Sequence, residues 1–193
     1  MNARVLPFDE SRREAALPAS PPHAAAHDAA SFDERRFRHA LGRFATGVVV
    51  ISSGTEERLH AMTANAFMSG SLKPPLIVVS VAHRARMHQR LMDDDRFGVS
   101  VLSNEQESHS RHFAGELQAH LSGSGAPAFA TVDGMPGVAL LERAVARFAA
   151  SIVDRHPCGD HTLFIGEVCM FALDEHAPLV FFGGRYASVA SGS

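Results

Sequence analysis

The chain has 193 residues, 46% of them hydrophobic, and a formal net charge of −3. That is long enough for one domain with a real core and too short for two ordinary ones, and the acidic balance excludes a nucleic-acid binder that relies on a concentrated excess of lysine and arginine. Two cysteines, Cys158 and Cys169, make no disulfide framework, and no apolar run approaches the ~20 residues that span a bilayer, so the expectation is a cytoplasmic protein, neither secreted nor inserted.

Residues 1–30 are rich in Ala and Pro, mix Arg13 with Glu10 and Glu14 and lack apolar periodicity, which predicts a disordered tail. Order should begin at Ser31: Ser31 and Glu34 have capping-box spacing, Phe37, Leu41 and Phe44 recur on one helical face, and Gly47 should close that helix. VVVISS (48–53) reads as a strand, Gly54 to Arg58 as a turn and 59–65 as the return strand of a hairpin. After Pro74 and Pro75, LIVVSVA (76–82) is the β-branched run of a buried strand. Ala85 to Leu91 follows as a short helix, with Met87 and Leu91 one turn apart.

FGVSVL (97–102) is a further strand, and 104–114 a further helix with Asn104 as its N-cap. The stretch 115–137 carries five Gly and two Pro and reads as a long loop or lid. Three strand-like runs close the chain, at 139–154 (bent), 161–174 and 178–184, ahead of a flexible end at 188–193. Many strands with short helices between them predict a mainly β fold, a barrel with helices packed outside it, rather than a doubly wound sheet.

No G-x-G-x-x-G follows a strand, and G-x-x-x-x-G-K-[ST], G-x-S-x-G and C-x-x-C are missing, so a nucleotide here would be held in another way. HPCGDH (156–161) crowds His156, Cys158, Asp160 and His161 together. Zinc is one reading, but a second ligand pair at finger spacing is lacking and so short a segment rarely closes a tetrahedron. A polar turn is another, with Gly159 supplying the bend and Asp160 bonding the backbone. His83, His88, His109, His112 and His120 sit among polar neighbours and read as solvated. Arg84 and Arg86, just past a strand end, could meet a phosphate, and Arg185 and Tyr186 end the last strand where a cation and a phenol could reach a pocket mouth.

Six motifs run collinearly: G-V-x-V-[IV]-[ST] (47–52), M-T-A-N-x-F-x-S-x-S-L-x-P-P-L (62–76), F-x-V-[NS]-V-L-x-x-x-Q (97–106), F-A-G (113–115), G-D-H-x-x-[FI]-I-G-E-V (159–168) and P-L-x-[FY]-F-x-G-x-Y (178–186). Over about 32–187 the chain resembles the short-chain flavin reductases, the reductase components of two-component flavin-dependent monooxygenases. The resemblance implies a homodimeric split β-barrel over 31–187 that binds FMN or FAD, oxidises NADH or NADPH and passes diffusible reduced flavin to a monooxygenase partner. A barrel that keeps its flavin as an electron carrier or redox sensor is the alternative. By the same resemblance the flavin is lined by Thr63, Ala64, Asn65 and Ala66, by the strand from Ser80 and Val81 to Arg86, and by Ser100, Val101, Leu102, Gln106 and Phe113. His161 would lie against the flavin face where nicotinamide stacks, oriented by a hydrogen bond to Asp160, and no metal is expected. The chain departs from the family pattern at Ala66, where Ser is common, at HRARM (83–87), where Ser and Thr are common, and at Gly183–Gly184, where an Arg often precedes the Gly.

Overall fold

The computed structural model describes residues 4–5, 32–116 and 125–189. Most of the expected tails, the centre of the 115–137 loop and His120 lie outside the described residues. In chain order the elements are β1 (Arg4–Val5), α1 (Glu34–Leu41), β2 (Thr46–Gly47), β3 (Val49–Ser53), β4 (His60–Ala64), β5 (Phe67–Leu72), β6 (Pro75–Ala82), α2 (Arg86–Asp93), β7 (Arg96–Val101), α3 (Glu107–Phe113), β8 (Phe129–Thr131), β9 (Ala139–Leu141), β10 (Ala146–Cys158), β11 (His161–Leu173), β12 (Leu179–Phe182) and β13 (Arg185–Ser188). Among the described residues the fold is mainly β with three short α-helices.

The large sheet runs β4-β3-β7-β10-β11-β6-β5, with β1 added on β11, and every pairing along it is antiparallel. Its two edge strands, β4 and β5, are consecutive in the chain and joined only by Asn65 and Ala66. A sheet whose first and last strands leave the same turn must curl until its edges meet, so the barrel closes with a split at that turn. Period-two alternation then sorts the side chains. On β6, Ile77, Val79 and Val81 are buried while Leu76, Val78, Ser80 and Ala82 are half-buried on the opposite face. On β11, Thr162, Phe164 and Val168 point in, and His161, Leu163 and Ile165 share the outer face.

Inside, Ile51, Val79, Val81, Phe97, Val99 and Phe164 form one core with Met87 and Leu91, the apolar face that α2 presents. A second cluster joins Val48, Val50, Leu102, Leu141 and Leu179, packing the small β13-β12-β2 sheet on the barrel.

Several boundaries differ from the sequence reading. Asp33 caps α1, accepting the Arg36 N–H at 2.9 Å, and Gly42 ends it; Gly47 is in β2, opposite Val180. The bent strand over 139–154 is two strands, separated at Glu142–Val145, where Arg143 has a φ of 59°. Part of the 115–137 loop is a strand, β8, paired with β9. Asn104 opens a short 3-10 turn rather than capping α3. The last strand turns at Gly183–Gly184, with φ values of 58° and 80° that favour glycine, and returns as β13.

Candidate functional site

The split in the barrel brings distant parts of the sequence together. Thr63 and Ala64 end β4, Asn65 and Ala66 form the turn, and the Ser80 N–H donates to the Ala66 carbonyl at 3.1 Å. Ser80 stands opposite Leu163, and Ala82 opposite His161, in the β6–β11 ladder. Ser80, Ala82, Leu163 and His161 thus share the outer, half-buried face, with the Asn65–Ala66 turn at one side and the Gly159–Asp160 turn at the other. The second turn is tied to the chain after β6, where the His83 N–H donates to the Asp160 carbonyl at 2.9 Å.

His161 Nδ1 lies 2.7 Å from Asp160 Oδ1. A carboxylate can only accept, so Nδ1 carries the proton. The hydrogen bond from His161 holds the Asp160 carboxyl below its usual range, and the charge of Arg84 adds to this. Arg84, Asp160 and His161 therefore form one polar edge of the face. Asp154 pairs separately with His156 at 3.0 Å and Cys158 is exposed. Among the described residues, no three His, Cys, Asp or Glu side chains converge as metal ligands would.

The donor set suits a phosphorylated planar ring. Among the described residues the N–H groups of Asn65 and Ala66 have no backbone acceptor, and Arg84 and Arg86 lie at the exposed start of α2. Ala82 and Leu163 supply an apolar floor. Orphaned donors beside a hydrophobic surface can orient a ring that is otherwise held by burial.

Other residues expected at the site are placed differently. The Val81 and Leu102 side chains are core. Ser100 is fully buried, and its hydroxyl accepts the Leu141 N–H at 3.0 Å. Gln106 is buried too, accepting from the Ser103 N–H and donating to the Glu142 carbonyl at 2.7 Å. These four side chains are committed inside, so only their backbone could meet a ligand. Val101 is partly buried against the core. Phe113 packs edge-on to Phe129 at 5.8 Å.

Tyr186 is a strut rather than a free phenol. Its hydroxyl lies 2.9 Å from Ser110 Oγ, its ring meets Phe181 at 5.3 Å, and the Arg111 guanidinium sits 4.7 Å above it. Thr63 Oγ1 donates to the Ser110 carbonyl at 2.6 Å, which fixes β4 to α3. Arg185 is exposed on β13. His83 is exposed as expected, although its Nε2 lies 3.2 Å from Thr162 Oγ1; the expectation of solvated histidines fails for His88, half-buried with Nε2 2.9 Å from the same oxygen, and for His109 and His112, half-buried with Nδ1 atoms shut off from solvent. Burial, then the neighbouring His83, push the His88 imidazole below its usual value. Sequence reasoning missed the His83–His88 pair because it depends on the β6–β11 register; the inward alternation of Thr162 with Phe164 was the available signal.

Comparison with known proteins yields a consistent picture. The family model described as "Flavin reductase like domain" matches residues 41–190. An NADH-dependent flavin reductase of Rhodococcus is 42% identical over 155 residues, covering 79% of this chain and 84% of that protein. An NADH-dependent FAD reductase of Streptomyces globisporus is 39% identical over 163 residues, 82% of this chain and 87% of that one. The solved structure of the styrene monooxygenase flavin reductase from Pseudomonas putida S12 superposes with a TM-score of 0.70 at 39% identity, over 81% of this chain and 99% of that one.

Proposed function

Because the chain belongs to the family of flavin reductase-like domains, we propose that it transfers a hydride from NADH or NADPH to FMN or FAD and supplies the reduced flavin to a separate monooxygenase. The enzyme is an NAD(P)H-dependent flavin reductase. The observation that carries this reading is the half-buried outer face of Ser80, Ala82, Leu163 and His161, set beside a turn with unused N–H groups.

Hydride donor and acceptor chemistry is supplied by the two nucleotides when bound, which leaves the protein the work of stacking, orientation and electrostatics. The Asn65 and Ala66 N–H groups are the donors that would hold the edge of a bound ring and would favour negative charge there. Ala82 and Leu163 cover one ring face. Arg84 and Arg86 take the flavin phosphate. His161, its ring fixed through Nδ1 by Asp160, lies along the open face and positions the nicotinamide. An open, polar-edged site of this kind suits a flavin that enters and leaves as a substrate.

The partner subunit is part of the same proposal. Leu72 and Met68 on β5 are exposed, Leu72 by 88%, and so are Phe37, Leu41 and Phe44 in and after α1, Phe44 by 78%. The apolar stripe of α1 finds no burial within the described residues. Large apolar side chains left exposed on a helix and on a sheet edge suit an interface, and a second copy of the chain is the occupant.

The reading is tested by following nicotinamide oxidation with NADH and NADPH, each with FMN, FAD or no flavin. Turnover that depends on added flavin is expected. Folded protein that oxidises neither nucleotide with either flavin would overturn it.

A further inference from the structure

Beside the Asp160–His161 turn, three side chains meet that the proposed reaction does not use. His83 follows β6, His88 is on α2 and Thr162 is the second residue of β11. Both imidazoles place Nε2 against one oxygen, Thr162 Oγ1, at 3.2 Å from His83 and 2.9 Å from His88. The two rings meet edge to face with centroids 4.8 Å apart, and His88 packs in the same way on Phe164 at 5.7 Å. Thr162 is buried, and among the described residues its hydroxyl bonds to these two rings alone.

A hydroxyl carries one hydrogen, so it donates to one Nε2 and accepts from the other, and the two rings must hold opposite tautomers. His88 takes the acceptor role. Its contact is the shorter, as O–H donors make them, and burial, then the charge of His83, push its pKa below the usual value. His83 is exposed, donates through Nε2 and can take a proton on Nδ1 without disturbing either bond. A proton on His88 Nε2 has no such place. It turns the acceptor into a second donor, leaves the buried Thr162 hydrogen without a partner and sets two cations edge to face.

Neighbouring charges do not offset that second proton. Asp160, the carboxylate of the adjoining turn, is held by His161 and acted on by Arg84. On β10, Cys158 stands opposite His161, and His156 is paired with Asp154. On β4, His60 is acted on by Arg90 and Arg86, both cations of α2. What the three side chains fasten together is the site itself: the His83 N–H donates to the Asp160 carbonyl at 2.9 Å, Ala82 pairs with His161, and Arg84 and Arg86 lie on the fastened segment.

We propose that Thr162, His88 and His83 are positioning residues for the nicotinamide substrate, a clasp that holds the Asp160–His161 turn in place while His88 is neutral and opens when His88 gains a proton. This rests on the reductase reading and deepens it. The fold favours neutral His88, so the clasp is complete above the ordinary imidazole value of about 6.5 and is lost as the pH falls through the lower value that His88 has in the fold.

Two measurements test it. The first is nuclear magnetic resonance of the full-length protein with isotope-labelled histidine at about pH 7.5, above the ordinary imidazole value. Opposite tautomers are expected, with His88 protonated on Nδ1 and His83 on Nε2. Both rings in one tautomer, or His88 protonated on Nε2, would overturn the proposal. The second is the NADH KM at about pH 7.5 and about pH 5.5 for the wild type, His88→Gln and Thr162→Val, each shown to be folded by circular dichroism. Gln sets an amide near the Nε2 position and takes no proton. The wild-type KM should rise about fivefold at the lower pH, the change expected for one lost hydrogen bond. The ratio of the two values should be near one for His88→Gln, and Thr162→Val should show the raised KM at both. An unchanged wild-type KM, an equal rise in His88→Gln, which would put the titration on another group such as His161, or a Thr162→Val KM equal to the wild type at the higher pH would also overturn it. The tautomer measurement needs no turnover, so it stands apart from failure of the reductase reading, which would show as no oxidation with any flavin.

Discussion

At the scale of single residues, the Asp160–His161 pair carries the most consequence. Asp160 closes the turn and His161 opens β11, and the ladder to Ala82 and the His83 N–H hold the backbone so that the carboxylate stays 2.7 Å from the imidazole nitrogen. His161→Ala should raise the NADH KM about tenfold, the cost of one lost aromatic contact, and leave flavin KM values nearly unchanged. Equal losses for both substrates in a folded variant would remove the assigned role. The G-D-H motif was legible in the sequence. The inward commitment of Ser100 and Gln106 was not, because it depends on which face of β7 meets β9 and on the Glu142 carbonyl, contacts 36 to 41 residues away along the chain. The packing of Tyr186 was hidden for a similar reason: the return of β13 onto β12 brings it to Ser110, and only the turn at Gly183–Gly184 hinted at that return.

At the scale of elements, periodicity located β3, β4, β6, β7, β11, β12 and, as one run, β9 and β10, but it missed β2, β5, β8 and β13, short or Gly- and Ser-rich strands that only a tertiary partner defines. β6 and β11 were readable as strands, yet their pairing was not, and that pairing creates the site face. Close packing beneath this face makes a sharp prediction at Gly166. A Cβ there would sit 2.6 Å from the Phe97 ring and 2.9 Å from the Ala150 Cβ, in a fully buried region. Gly166→Ala should cost about 1–3 kcal/mol by overpacking, seen as a lower denaturation midpoint in urea. Gly47→Ala, with nothing within 4 Å of the added carbon, serves as the comparison and should shift the midpoint little. Equal midpoints for the two variants would contradict the packing described for β10 and β11.

At the scale of the whole molecule, composition and strand count gave the class, but closure came from a fact no periodicity contains: the two edges of the sheet leave one short turn. That turn is also where the site lies, so closing the barrel and building the site are one event in this fold. The apolar outer surface extends the argument to two chains. Light scattering should give about twice the 20.7 kDa of one chain, and Leu72→Asp should shift the mass toward one; a wild type of single-chain mass would set the dimer aside. Among the described residues, no helix is long and apolar enough to cross a membrane. Reduction of flavin and its release can be followed in one experiment. Under anaerobic conditions, protein is mixed with excess NADH and flavin and passed through an ultrafiltration membrane. Consumed NADH and bleached, reduced flavin in the filtrate are expected. Unconsumed NADH, or flavin retained with the protein at one per chain, would contradict the proposed function.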